Sequence, residues 1–240
     1  MPETIRGVLL DVEGTTSSVA YVYEVLFPFA RENLDSYLDR HWDAPGTLRA
    51  LNQLARDAGA HSFADWTSDD SLVAARERVR SEVLRLMDDD VKSTGLKELQ
   101  GMIWQGGFES GQLRAHVFPD VPAALDAWSK RGLDVRIYSS GSVAAQRLFF
   151  AHSERGDVSH LLRGHYDTTT GPKREASSYR GIAYDMGLSP VEILFLSDIV
   201  AELDAASEAG LQTRLVVRPG NAPAPNGHRH SVVRSFDALV

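Results

Sequence analysis

The sequence predicts an α/β protein: a doubly wound, Rossmann-like parallel sheet with an all-helical segment inserted after its first strand. Three observations carry that expectation. Val8, Leu9 and Leu10 form an apolar run too short for a helix, which suits a central strand buried on both faces. From about residue 117 onward, similar runs alternate with helical stretches, the pattern of a parallel sheet built from strand–helix units. Between the two lies a block of about a hundred residues whose apolar positions recur only at helical spacing. The chain accordingly divides into an α/β core, residues 1–16 and 117–240, and a helical insert, residues 17–116.

Composition narrows the function. A chain of 240 residues can bury a full core with an insert. Its 25 Lys+Arg against 33 Asp+Glu give a formal charge of -8, and no long basic run occurs, so nucleic acid and anionic membranes are not expected partners. Cysteine is absent, which excludes disulfides, thiolate metal sites and a cysteine nucleophile, and suits a reducing compartment. No window reaches the roughly 18 apolar residues of a membrane span, and the N-terminus lacks a charged region followed by an apolar one. A cytoplasmic protein is expected.

In chain order, the first strand ends at Asp11-Val12-Glu13-Gly14-Thr15-Thr16. Side chains alternate along extended chain, so Asp11 and Glu13 point the same way from the carboxyl edge of the sheet, where open α/β folds place ligands. An aspartyl nucleophile with an acid/base partner and a hard-cation site would look like this; so would a strand capped by an Asx-turn. In the insert, Val22, Val25, Leu26, Phe29 and Ala30 share a helical face that Pro28 should kink or bound. Pro45-Gly46 marks a turn before a helix carrying Leu48, Leu51, Leu54 and Ala55 and ending near Gly59. Asp69 or Asp70 is a candidate cap for a helix with Leu72, Ala75, Val79, Val83, Leu84 and Leu86 on one face. Asp88-Asp89-Asp90 reads as a surface acidic run. Leu96, Leu99, Met102, Ile103 and Trp104 form a further helix that Gly106-Gly107 should break.

The core resumes with a helix over 121–130, a strand over 134–138, and Ser139-Ser140-Gly141-Ser142 opening a helix over 143–150. A helix N-terminus of that kind can hold an anion. A short strand over 161–166 and a loop delivering Lys173 precede a helix over 175–186 that Gly187 closes. A buried strand over 192–196 ends at Ser197-Asp198, with Glu202 and Asp204 beyond. A helix over 203–209, a strand over 213–217 and an irregular stretch over 218–227 complete the pattern.

An aspartate pair, a serine pair, a lysine and a second aspartate thus follow one another at strand ends and loops. Their order resembles the haloacid dehalogenase superfamily of aspartyl phosphotransferases. Glu13, where most of that superfamily carries Asp, narrows the resemblance to the acireductone synthase family of enolase-phosphatases. Val25-Leu26-Phe27-Pro28, Trp104-Gln105-Gly106-Gly107-Phe108, Gly164-His165-Tyr166-Asp167-Thr168 and Phe195-Leu196-Ser197-Asp198 extend it over residues 5–221. One departure is Ser17-Ser18, where the family usually reads Thr-Pro.

The resemblance implies a haloacid dehalogenase core, with the insert as a cap, and Mg²⁺-dependent conversion of 2,3-diketo-5-methylthiopentyl-1-phosphate to an acireductone and phosphate, by enolisation and then phosphoryl transfer to an aspartate. A monomer is expected. It assigns catalysis to Asp11, Glu13 and Lys173, substrate binding to Ser139, Ser140 and Lys173, and metal binding to Asp11, Glu13 through its carbonyl, and Asp198. A simple phosphatase of another small-molecule phosphate is the competing expectation, and a catalytically silent binding protein a third. Glu202 and Asp204 are expected behind the ligands or on the surface rather than as ligands, His165 in the core or a loop, His228 and His230 in a polar tail, and Trp104 in insert packing.

Overall fold

The computed structural model describes residues 4–68, 71–91 and 93–240. It contains a six-stranded sheet, β1 (Gly7–Leu10), β2 (Asp134–Tyr138), β3 (Gly164–Tyr166), β4 (Ile193–Ser197), β5 (Gln212–Val216) and β6 (Ser231–Val233), in the order β3-β2-β1-β4-β5-β6. Every neighbouring pair is parallel. β1 lies between β2 and β4, with Leu10 level with Ile137 on one side and Leu196 on the other, which is why its four residues are all buried. The doubly wound sheet with an all-helical insert after its first strand is therefore the architecture of this chain. β6 was not expected: it is a three-residue edge strand behind a Pro-, Gly- and Asn-rich stretch, too short to show a period.

The helices are α1 (Val19–Tyr21), α2 (Phe27–His41), α3 (Pro45–Asp57), α4 (Phe63–Trp66), α5 (Leu72–Asp88), α6 (Thr94–Glu109), α7 (Asp120–Lys130), α8 (Val143–Ala151), α9 (Ala176–Met186) and α10 (Val200–Glu208). α9 and α10 pack Tyr179, Ile182, Leu203 and Ala206 with Leu9, Phe195 and Leu215 of the sheet in one buried cluster. The chain forms two compact units: one runs through Tyr23 and resumes at Leu113–Val240, the other is Glu24–Gln112.

The second unit has its own core, in which Leu34, Leu38, Leu51, Leu54, Val79, Val83 and Leu99 are buried together. A π-helical turn, Val22–Leu26, precedes Pro28 in the first turn of α2. Proline removes one helical N–H and crowds the preceding turn, so a local change of register before it is the expected response. Trp104 serves packing here, its Nε1 donating to the Leu26 carbonyl at 2.8 Å. Three local expectations change. Pro45 sits inside the first turn of α3 rather than in a turn before it, as suits a residue with no N–H to lose. α6 runs through Gly106-Gly107, where Gly107 is buried, and ends beyond them at Ser110. α5 is capped by Ser71, whose hydroxyl accepts from Ala74 N, while Asp69 and Asp70 lie outside the described residues. The acidic run after α5 is met by arginines: Asp88 pairs with Arg31 at 2.6 Å and Asp89 with Arg85 at 3.0 Å.

α3 and α6 approach closely because Gly95 has no side chain. A Cβ there would meet the Leu54 backbone nitrogen, and would stand 2.7 Å from Leu54 Cα and 2.9 Å from the Ala50 carbonyl. Alanine is the better helix former by about 1 kcal/mol, but a clash with backbone cannot be relieved by rotating a side chain. The clash should win. Gly95→Ala is expected to destabilise the protein by about 1–3 kcal/mol in denaturant unfolding; a stabilised variant would show that α3 and α6 can separate without cost.

Candidate active site

β2, β1 and β4 run parallel and end at one edge, so Ser139, Asp11 and Asp198 leave the sheet side by side. The turn after β1 is tightly specified. Val12 N donates to Asp11 Oδ1 at 2.8 Å, and the Val12 carbonyl accepts from the amides of Thr15, Thr16 and Ser17. Gly14 takes φ +73° at the centre, a backbone conformation in which side chains other than hydrogen are strained. The Asp198 carboxylate lies against this glycine, since a Cβ on Gly14 would collide with Asp198 Oδ2. At the end of the turn Ser17 Oγ and Ser18 N both lie on His116 Nδ1, at 3.3 and 3.2 Å, and Ser18 Oγ caps α1. Proline at position 18 could make neither Ser18 contact.

Lys173 reaches the site from a loop pinned at successive carbonyls. Tyr138 OH donates to Gly171 O at 2.8 Å, Ser178 Oγ to Pro172 O at 2.8 Å and Tyr179 OH to Lys173 O at 2.7 Å. The ammonium sits between Asp11 Oδ1 at 2.6 Å and Glu202 Oε2 at 2.8 Å. Ser197 Oγ bridges the same two acids, 3.3 Å from Asp11 Oδ2 and 3.0 Å from Glu202 Oε2. Across the edge, Ser139 Oγ donates to Glu13 Oε2 at 3.2 Å. Gln146 steadies the Ser139 turn, its Nε2 donating to Gly141 O at 2.7 Å and Tyr166 O at 2.9 Å. The helix end there offers less than expected, because Val143 N is taken by Asp167 and Ala145 N by Ser142. Exposed Ser140 flanks the Ser139 hydroxyl.

The electrostatics follow from crowding. Four carboxyl groups, Asp11, Glu13, Asp198 and Glu202, converge on one ammonium. Burial and then the Asp11 charge push Asp198 up to about 7, and the same two causes push Glu202 up to about 7. Burial, reinforced by Asp11, also raises Glu13. Burial alone would depress Lys173, but Asp11 and Glu202 outweigh it, so the lysine stays charged. An excess of oxygen donors over cations is the environment a hard cation favours. The candidate ligands are two carboxylates and a backbone carbonyl; among the described residues no group of three or more His, Asp or Glu side chains could by itself hold a metal ion.

Glu202 was expected either behind the ligands or on the surface, and the structure places it behind them, against Lys173 and Ser197. The signal was its position one helical turn beyond Asp198, in the first turn of α10. Asp204 is exposed and holds His230 Nε2 at 3.1 Å, while His230 Nδ1 lies 2.8 Å from Thr213 Oγ1. His165 is pushed down to about 4 by burial and then by Arg147, and its Nδ1 lies 3.2 Å from Gln146 Oε1. Arg218 and Asn221 gave no periodic signal in the sequence, yet both hold the turn after β1. Arg218 Nε donates to Thr15 O at 3.0 Å and Asn221 Nδ2 to Gly14 O at 2.9 Å. The Arg218 guanidinium is buried between the rings of Phe118 and Phe236, and its Nη1 pairs with Asp120 at 2.8 Å.

A family model described as haloacid dehalogenase-like hydrolase matches residues 5–210. The chain belongs to this family. Within it, the chain is 45% identical over 242 residues to "Enolase-phosphatase E1" of Synechococcus elongatus, covering 100% of this chain and 99% of the relative. The protein of the same name from Sorangium cellulosum is 47% identical over 235 residues, covering 98% of this chain and 97% of that one. The crystal structure of the UTR4 protein from Saccharomyces cerevisiae superposes with a TM-score of 0.80 at 35% identity, covering 98% of this chain and 100% of that one. A dehalogenase crystal structure, at 18% identity and a TM-score of 0.57, shares the fold.

Asp120 tests how much the Arg218 anchor contributes. Burial works against its charge, but the Phe236 amide and Arg218 together hold its carboxyl below the usual aspartate range. Its contribution is therefore present above the unfolded value of about 4 and lost as pH falls through the folded one. Asp120→Asn strands a buried guanidinium, for which about 3–5 kcal/mol is expected. Thermal unfolding from pH 7 down to pH 3 should show the wild type's advantage shrinking on acidification; a gap that stays constant would mean that the loss does not come from the Asp120 charge.

Proposed function

We propose that this chain is an acireductone synthase, an enolase-phosphatase that converts 2,3-diketo-5-methylthiopentyl-1-phosphate to the acireductone 1,2-dihydroxy-3-keto-5-methylthiopentene and phosphate. The observation that carries it is the placing of Glu13 across from Asp11, bonded to Ser139 and raised in pKa by burial and by the Asp11 charge. A carboxyl whose pKa is raised beside a carboxylate nucleophile suits a general acid. Relatives named for this activity, aligned with the whole chain, support the reading.

Enolisation comes first: C1 loses a proton and the C2 oxygen gains one, giving the enol phosphate. Asp11 then attacks phosphorus and forms an aspartyl phosphate as the bond to the leaving enolate oxygen breaks; Glu13 gives its proton to that oxygen. Glu13, now a carboxylate, takes a proton from the water that hydrolyses the intermediate. Approach of a phosphate to Asp11 meets repulsion of about 4 kcal/mol per charge pair at 4 Å and an effective dielectric near 20. Lys173 offsets part of this, while Ser139 and Ser140 supply hydroxyls to the phosphate oxygens. Asp11, the Glu13 carbonyl and Asp198 would hold Mg²⁺, whose hard-oxygen preference fits these donors, and the ion when bound supplies the remaining positive charge.

The direct test supplies the diketone phosphate with Mg²⁺ and follows enediol absorbance and phosphate release together. Both should rise; phosphate without enediol would select a simple phosphatase. Asp11→Asn should lose phosphate release by several orders of magnitude with an unchanged circular dichroism spectrum, and ordinary turnover would remove Asp11 as nucleophile. Glu13→Asp withdraws the acid by roughly 1.5 Å, which should cost about a hundredfold on the diketone phosphate. An aryl phosphate, whose leaving group hardly needs an acid, should be much less affected. Equal losses on the two substrates would make Glu13 an ordinary phosphatase acid.

A further inference from the structure

Two side chains of the turn after β5 grip consecutive carbonyls of the turn after β1: Asn221 holds Gly14 O and Arg218 holds Thr15 O. The orientation of the Asn221 amide is chemically forced. Its Nδ2 faces two carbonyl oxygens, Gly14 O at 2.9 Å and Val216 O at 3.4 Å; a flipped amide would set oxygen against both. Oδ1 must then lie on the opposite side, where it is buried and has no hydrogen-bond partner. It would be 3.1 Å from a Cβ on Gly14, the same point that Asp198 Oδ2 crowds. An amide oxygen left unpaired beside a carboxylate is unfavourable unless a positive or donating species serves both.

The peptide geometry points the same way. Gly14 N donates to Ser17 O at 2.8 Å, and in a trans peptide the preceding carbonyl, that of Glu13, is directed opposite to that N–H. Fixing the Gly14 carbonyl with Asn221 therefore holds both sides of the glycine, and with them the direction of Glu13 O. We infer that Asn221 is a positioning residue of the cation site: its N–H₂ locks the Gly14 turn so that the Glu13 carbonyl faces Asp198, and its Oδ1 accepts from water carried by a hydrated divalent cation. This rests on the Mg²⁺ reading above, and it assigns a function to a loop residue that neither binds phosphate nor transfers protons.

The test measures binding rather than turnover. Mn²⁺ is titrated into the full-length protein and the free ion followed by electron paramagnetic resonance, with Mg²⁺ as competitor, for wild type, Asn221→Ala, Asn221→Ser and the exposed-loop control Asn226→Ala. Asn221→Ala should weaken cation binding about 10- to 100-fold, and the control should not. The Mg²⁺ concentration for half-maximal activity should rise in parallel. A merely structural residue would lower kcat and melting temperature without moving cation affinity. Wild-type affinity in folded Asn221→Ala overturns the proposal and leaves the Mg²⁺ reading standing, whereas a wild type that binds neither ion overturns both. Should Asn221→Ala not fold, Asn221→Ser carries the same expectation; unfolding of both variants would make Asn221 a folding residue and end the proposal.

Discussion

The Lys173 ammonium lies between Asp11 and Glu202 where water hardly reaches, and much of the core can be understood as what that arrangement demands. A buried ion costs several kcal/mol unless its partners are held in place. Holding them takes a rigid frame, and here three neighbouring strands end in register while Tyr138, Ser178 and Tyr179 fix the lysine loop. Ser197, at the end of β4, ties Asp11 to Glu202 from beneath. The result sets Asp11 against a lysine and raises the pKa of its neighbour Glu13.

The same crowding explains how one carboxyl cluster divides its labour. Asp11 has a cation in contact, and its charge discourages ionisation of Glu13 and Asp198. Pairs of acids whose surroundings push them apart are a general means of obtaining an acid and a nucleophile from one residue type. Burial, position at the sheet edge and a single lysine suffice to set the difference.

Strands β1, β2 and β4 could be read from the chain because buried parallel strands carry short apolar runs, and Asp11, Ser139 and Asp198 because strand ends are where such runs stop. Lys173 was legible through its place in a recurring order. Arg218 and Asn221 were not, for a common reason: their partners in the turn after β1 are distant in sequence and polar, so neither a period of two nor of 3.6 marks them. β6 escaped as a three-residue edge strand. Gly106 and Gly107 misled in the other direction, since a glycine that permits close packing looks the same in sequence as one that ends a helix.

The turn after β1 owes its geometry to groups that are made last. Asp11 is joined to Lys173 across 162 positions and to Ser197 across 186, and Gly14 to Asn221 across 207. Contacts of such long sequence separation form late, because the intervening chain must be ordered first. On a ribosome Asp11 emerges before its lysine, its serine and the asparagine that clamps the neighbouring glycine, and lacks them until those later segments follow. A nascent or truncated polypeptide ending before Lys173 would therefore carry Asp11 without the means to use it, so that competence for phosphate chemistry arrives together with the finished fold.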